Sequence, residues 1–529
     1  MTTRRAFWGT SAAFLGALAC DPERYPRLTQ PVPGRIVGAH FELGHAVRER
    51  LPFPAAAPSS KHRVLIVGTG VSGLSAALEL ARAGHRDLAI IDVEPEAGGT
   101  SRAGSTGGFQ HPWGAHYVVA PSADQESMVK LLTDVGMMYI DEDGQLDAHE
   151  EYLVRDPEER IFFEGRFYEG MLPLHALDPE SRRELPAFRR KMLEYCRLRN
   201  GDGRKVFHIP LAAAEIGPEI ERFDTMSMAA FLEAEGFRSR GVRFLADYAC
   251  RDDYGTTSAQ TSAFAGIYYF ASRDENEEED GRGYLTVPQG NGLFIRHFLA
   301  ELERFAVRPK LGHVAYAVQE TESGVRVATL RGDRSTHVFE AERVIFAVPD
   351  HVRRALLPQL AERNPPLEYG SWLVGNLLMD KRPGGRGAPL AWDNISFHSG
   401  SLGYVVATHQ AGIDHGDTVL TFYVPLLDDD PKKARQKLYS YSHADCARLL
   451  LGELEAMHPG SSVHCKELNV MRHGHAMVRP SVGLRASGAL NRAPVGRSHF
   501  AHTDFSGLAL FEEAFHHGRA AAAEVSRLL

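Results

Sequence analysis

The sequence predicts an α/β protein: a three-layer unit with a parallel sheet between helices, joined to a discontinuous second unit of mixed α+β character. Three observations carry this. An aliphatic run from Arg63 to Val67 leads straight into a glycine-rich turn, a helical pattern and a second aliphatic run that ends at Asp92. Short strand-like runs return far downstream, at His313 to Val318 and at Arg343 to Pro349, so the first unit is assembled from separated pieces. The chain has 529 residues, too many for one hydrophobic core.

Taken in order, the N-terminus comes first. Arg4 and Arg5 precede an apolar stretch from Ala12 to Ala19, and residues 1–20 resemble a twin-arginine export signal, a receptor-read address outside the fold. The resemblance implies the export machinery as a partner and a periplasmic location. Ala17-Leu18-Ala19-Cys20 resembles a lipoprotein cleavage box, with Ala17 where leucine is usual, and implies a lipid anchor at Cys20. Residues 21–60 hold seven prolines, among them Pro31, Pro33 and Pro52. They read as an extended surface linker with a short ordered piece around Gly38 to Arg48.

Residues 61 onward carry the chemistry. Arg63 to Val67 suits a strand buried on both faces. In Gly68-Thr69-Gly70-Val71-Ser72-Gly73, Gly68 permits a tight turn, Gly70 lets the backbone approach a pyrophosphate, and Gly73 allows close helix–strand packing. Leu74, Ala77, Leu78 and Ala81 recur at helical spacing, so this helix aims its N-terminus, with Val71 and Ser72, at the phosphates. Asp92 ends the next strand, where a carboxylate accepts from an adenosine ribose. Strand, glycine turn, helix and acid together define a Rossmann-type dinucleotide site.

The run Asp92 to Arg102 resembles the continuation found in flavin amine oxidases and their desaturase relatives: an acidic residue, a Gly98-Gly99 pair six positions on, then Thr100, Ser101 and a basic residue. Arg102 stands two places beyond the usual arginine. Trp113 to Tyr117 is similar to the family's Gly-x-His element, which implies His116 beside the flavin ring. Leu285 to Leu293, the strand at Val314, Arg343 to Pro349, and Phe500 to Asp504 with Glu513 to Ala521 match later elements of the same family. The resemblance implies non-covalent FAD, with Val314 contacting the adenine side and Asp504 bonding the ribityl chain. It implies an FAD-binding domain from 61–140, 284–350 and 491–529, and a substrate domain from 141–283 and 351–490.

The family oxidises C–N bonds by hydride transfer to flavin N5, or desaturates or isomerises apolar substrates. A small-molecule substrate, in the leading reading an amine, is implied; a non-catalytic FAD-binding protein is the third reading. Amine oxidases carry a lysine in the strand after the Val-Pro element, and none stands in Gly370 to Met379; Asn376 is the nearest polar residue. This argues against an oxygen-using oxidase and favours a dehydrogenase with another, unassigned electron acceptor, or the desaturase or isomerase reading. His473 and His475 stand where an aromatic residue commonly lines the substrate cage; without carboxylate partners they read as a hydrogen-bonded pair and not as a metal site. Asp253 and Tyr254 are candidates for holding a cationic substrate, against the alternative of a surface turn with an internal ion pair. Tyr268, Tyr269 and Phe270 read as core or tunnel lining, and the acidic run from Glu275 to Asp280 as a solvated loop. The net charge of −9 and the lack of a basic run argue against nucleic acid, no apolar run has a spanning length, and the five cysteines form no C-x-x-C pair.

Overall fold

A computed structural model describes residues 21–26, 28, 30–38, 41–45, 48, 51–55, 57–273, 283–360, 364–413 and 415–529. The twin-arginine and lipid-anchor features, Cys20 included, and the acidic run 275–280 lie outside these residues.

As predicted, the glycine turn belongs to a largely parallel sheet. Its seven strands begin with Lys310–Leu311, Leu88–Asp92, Ser59–Val67 and Thr336–Phe346, and continue through Val325–Leu330 to Val314–Glu320. Ser498–Phe500 runs parallel to the end of Thr336–Phe346. Alternation explains why both faces are apolar. Val64, Ile66, Ile90 and Ile345 pack under the helices Val71–Arg82, Gly292–Arg304 and Phe511–Ser526. Leu65, Val67, Ile91 and Phe346 pack on the other face with Val327 and Phe339. Such strands read as continuous hydrophobic runs, which is what made them visible.

The second unit is an eight-stranded sheet, ordered Gly34–Gly38, Cys465–Val478, Tyr369–Met379, Thr418–Leu426, Tyr404–Val406, Asp393–Ser396, Glu159–Phe163 and Arg166–Glu169. Pro179–Cys196, Arg240–Tyr254 and Ala263–Ala271 supply the core on one face, with Trp372, Val374 and Tyr423. Pro431–Ser440 and His443–Met457 supply it on the other, with Leu373, Leu377 and Phe422. Ser227 accepts from the Ala230 amide and caps Met228–Ala234.

Two sequence boundaries change. Residues 21–60 are not simply a surface linker: Gly34–Gly38 pairs parallel with Cys465–Val478, register Gly34↔Leu468. Ahead of it, Tyr25 donates to Glu453 Oε1 at 2.6 Å. Ser59 and Ser60 already belong to the first strand of the nucleotide sheet. The other change is at 350/351. Asp350–Leu356 follows directly from the nucleotide sheet, and Leu356, Leu357 and Leu360 lie in that sheet's core, so the domain continues to about residue 360.

Candidate active site

A cavity of about 470 Å³ runs from the glycine turn into the eight-stranded unit. At its nucleotide end the chain turns sharply: Gly68 has φ +111°, and its amide donates to the Ile91 carbonyl at 2.8 Å. A Cβ on Gly73 would lie 2.0 Å from the Gly68 carbonyl oxygen, so only glycine lets Val71–Arg82 start this close to the strand. At Gly70, by contrast, an added Cβ meets no atom within 4 Å. Gly68, Gly70, Val71 and Ser72 line the cavity, and no side chain caps the helix, leaving its first amides for an anion.

Asp92 lies beside the turn. Its Oδ2 accepts from the Thr69 amide and hydroxyl, both at 2.6 Å, and Oδ1 from the Glu94 amide at 2.9 Å. Burial raises its pKa against these bonds. Gly98, Gly99, Thr100, Ser101 and Val314 also line this end. Arg102 does not: its guanidinium lies 3.5 Å from Glu94 Oε2 and 3.4 Å from Met471 Sδ. The displacement of two residues seen in sequence turns it aside from the cavity.

Asp504 is buried in the cavity wall, its Oδ2 accepting from the Asp350 amide at 2.7 Å and Tyr369 Oη at 2.5 Å. Burial works against the charge, but His502 and these donors outweigh it and hold the carboxyl down at about 2. The helix Phe511–Ser526 starts next to it with Glu512 and Glu513 in its first turn. Glu513 accepts from the Leu211 and Ala212 amides and Ser506 Oγ, so part of the positive helix end is already matched by carboxylates.

The two histidine candidates line the cavity as neutral rings. His116 stacks on Tyr423 with centroids 4.6 Å apart, and burial pushes it down to about 4. His475 stacks on His351 at 3.9 Å; burial, then His351, pushes it down to about 2. His473 bonds the Trp113 carbonyl at 2.7 Å and not His475, so the two are not a hydrogen-bonded pair. No cluster of three metal-ligating side chains occurs among the described residues. Asn376 does not reach the cavity. The strand Phe109–Pro112 covers it, its Nδ2 donates to the Pro112 carbonyl at 3.1 Å, and its Oδ1 accepts from Thr421 at 2.7 Å. Those bonds make Asn376 a core residue, with Trp372 and Val374 of the same strand lining the cavity instead.

Arg251 to Gly255 is no surface turn but the buried end of Arg240–Tyr254. Asp253 lines the cavity and takes both oxygens to Arg273 at 2.6 Å. Tyr254 points away, donating to the Ala265 carbonyl at 2.8 Å, and does not line the cavity. Tyr269 lines it, while Tyr268 is core. The residues that sequence reasoning missed are Asp252, Glu159, Asp393 and Glu512, and the ring of Trp392. Burial, then Asp253, pushes Asp252 up to about 7. Burial, then Glu158 and Asp252, pushes Glu159 up to about 7. Asp393 is raised well above the carboxylate range by burial and then by Glu159.

The open glycine turn, the free helix amides, Asp92 and the buried Asp504 carboxylate form a cradle suited to a dinucleotide, opening onto a second, polar pocket. That arrangement defines a nucleotide-dependent oxidoreductase. The chain belongs to the flavin-containing amine oxidoreductase family, whose sequence model matches residues 71–526. Its flavin is therefore the dinucleotide expected in the cradle. Among solved structures of similar fold, putrescine oxidase bound to putrescine has a TM-score of 0.63 at 18% identity, covering 88% of this chain and 99% of that one. Cyclohexylamine oxidase from Brevibacterium oxydans IH-35A has 0.61 at 17%, covering 89% and 99%. A putative protoporphyrinogen oxidase from Exiguobacterium sp. 255-15 has 0.57 at 17%, covering 89% and 100%.

Proposed function

We propose that this protein is an FAD-dependent enzyme that oxidises the C–N bond of an amine. The observation that carries the reading is the composition of the cavity beyond the nucleotide cradle: carboxylates and aromatic rings side by side, a lining that attracts an ammonium and is costly for an apolar ligand. When bound, FAD supplies a two-electron acceptor for a hydride from the carbon next to nitrogen. Gly68, Gly70, Val71, Ser72, Asp92, Gly98 to Ser101, Val314 and Asp504 would hold it. Among the described residues the cavity lining includes no cysteine, which supports non-covalent binding over a cysteinyl flavin.

The protein's own part is to bind, orient and desolvate. The substrate arrives as an ammonium and must lose a proton before the C–N bond becomes C=N. His116, kept neutral by burial, can accept a hydrogen bond from the amine and so orient it once the proton has gone to solvent. Tyr423 fixes its plane by stacking, and Tyr423 itself is anchored by donating to the Gly114 carbonyl at 2.9 Å. No lysine lines the cavity, in keeping with a dehydrogenase that uses an acceptor other than oxygen. Export by the twin-arginine route to the periplasm, with a lipid on Cys20, completes the proposal; Arg4, Arg5 and the Ala17 to Cys20 box support it.

The test is anaerobic titration of the FAD-loaded protein with mono-, di- and polyamines. Bleaching of the flavin absorbance, recovering slowly on admission of air, is expected. A flavin that no amine reduces refutes the reading. Mass spectrometry of the mature N-terminus checks the rest: an unmodified Cys20 removes the anchor.

A further inference from the structure

The end of the cavity away from the glycine turn gathers carboxylates from three elements. The strands Glu159–Phe163 and Asp393–Ser396 run parallel with Glu159 and Asp393 in register. Set in register, the two side chains stand on the same face of the sheet. The last turn of Arg240–Tyr254 adds Asp252. All three line the cavity. Arg273, the one arginine in that lining among the described residues, is committed to Asp253, and Arg251 turns to Asp247 at 3.1 Å. Among the described residues, Glu159, Asp252 and Asp393 have no ion-pair partner; Tyr269 donates to Asp252 at 3.4 Å, and Asp393 receives Tyr248 at 3.3 Å and the Asn394 amide.

Two independent features mark this end as a ligand site. Glu512, only 5% exposed, lines the same cavity near Asp253 and Arg273, and its buried Oε1 has no partner. The walls are rings at contact distance: Trp392 lies 5.5 Å from His116 and 6.2 Å from Tyr117, and Tyr117 lies 4.8 Å from Tyr284. Carboxylates around a ring-walled pocket are the chemistry that takes a desolvated ammonium.

We propose that Glu159, Asp252 and Asp393 form a second ammonium subsite, so that the enzyme selects di- and polyamines over monoamines. One nitrogen reaches the reacting end near His116 while another, still cationic, occupies the carboxylates. The inference rests on the amine-oxidising reading and narrows it to a substrate class.

The experiment uses the FAD-loaded full chain without oxygen. Half-saturation for flavin bleaching is measured with spermidine, 1,4-diaminobutane and butylamine, for the wild type, Glu159→Gln and Asp393→Asn. The expected result is a polyamine preference that each substitution erodes on the order of tenfold to a hundredfold, with butylamine shifted less than about twofold. Equal weakening of all three amines, or no initial preference, overturns the proposal. Should the variants not fold, calorimetry of the wild type with spermidine and with butylamine, in two buffers of different ionisation enthalpy, reads the subsite as the proton release that spermidine shows in excess of butylamine. Glu159 and Asp252 titrate at about 7. Facing them are Glu158, Asp253, Asp393 and Tyr117, Tyr248, Tyr269, Tyr284 and Tyr423, with Arg251 and Arg273 as the cations. A polycation should therefore expel protons near neutral pH, and binding without proton release overturns the subsite. Proton-releasing binding without bleaching would sink the oxidation reading and leave the subsite standing. Bleaching by butylamine as readily as by spermidine would do the reverse.

Discussion

Gly70 and Gly73 stand three residues apart in the same turn, yet the structure assigns them opposite sensitivities. At Gly70 a methyl group enters open space, and the backbone there, φ −68° and ψ −178°, is one any residue adopts. Gly70→Ala should therefore leave the apo fold intact or stabilise it by up to about 1 kcal/mol through the unfolded chain. The space it fills is where a pyrophosphate must approach the helix amides. Displacing the phosphate from one such charge-assisted bond costs roughly 1.5–3 kcal/mol, or about tenfold to a hundredfold in FAD affinity. At Gly73 the same methyl would lie 2.0 Å from the Gly68 oxygen, so backbone must move. Gly73→Ala should cost about 1–3 kcal/mol in the apo protein as an overpacking change. Denaturant melts of flavin-free protein and fluorescence titration with FAD separate the two effects. Wild-type FAD affinity in Gly70→Ala would refute the assignment of that face to the cofactor, and a destabilised apo Gly70→Ala would refute the open geometry.

Other outcomes follow from the buried charges. Arg273→Met should cost roughly 3–5 kcal/mol by stranding Asp253, and adding Asp253→Asn should restore most of it in denaturant melts; no recovery would mean the pair is not the cause. Asp504, held at about 2 in the fold against 3.8 unfolded, contributes about 2.5 kcal/mol above pH ~4 that is lost as pH falls towards 2. Asp504→Asn should remove that acid dependence, measured by melting at graded pH, and lower flavin content. His475 is neutral in the fold with its pKa depressed from 6.5 to about 2, so its contribution is complete above 6.5 and falls away below it, by about 2 kcal/mol at pH ~5. His475→Phe, which keeps a ring against His351, should flatten that acid limb; an unchanged limb would place the acid sensitivity elsewhere.

The parts legible in sequence are those whose physical requirements fall within one short stretch. Gly68 to Asp92 encodes strand, turn, helix and acid in a single run, and each residue's task is set by its neighbours there. Asn376 shows the limit. Its strand was visible, but nothing local says that Phe109–Pro112 covers that part of the face and binds its amide. Arg102 was flagged by its displacement, yet only the pairing with Glu94 says where it goes. Of the acidic end only Asp253 was read in sequence, and the rest was missed for a different reason. Glu159, Asp252 and Asp393 are scattered over more than 200 residues and meet only through sheet register and one helix end. The one local hint was a charge at Asp393 directly after Trp392.

The strand Gly34–Gly38 sets an order on the chain's maturation. It lies parallel to a partner more than 400 residues later, with Arg35 donating to Asn469 across a separation of 434 residues. A chain emerging from the ribosome therefore carries its N-terminal segment undocked until nearly all of it has been made. Cys465–Val478, the strand that receives this segment, also carries His473 and His475 into the cavity wall. Under the export proposal, the residues beside the address are clasped only once the eight-stranded sheet has formed, so the state of the N-terminus reports whether the catalytic body behind it is complete.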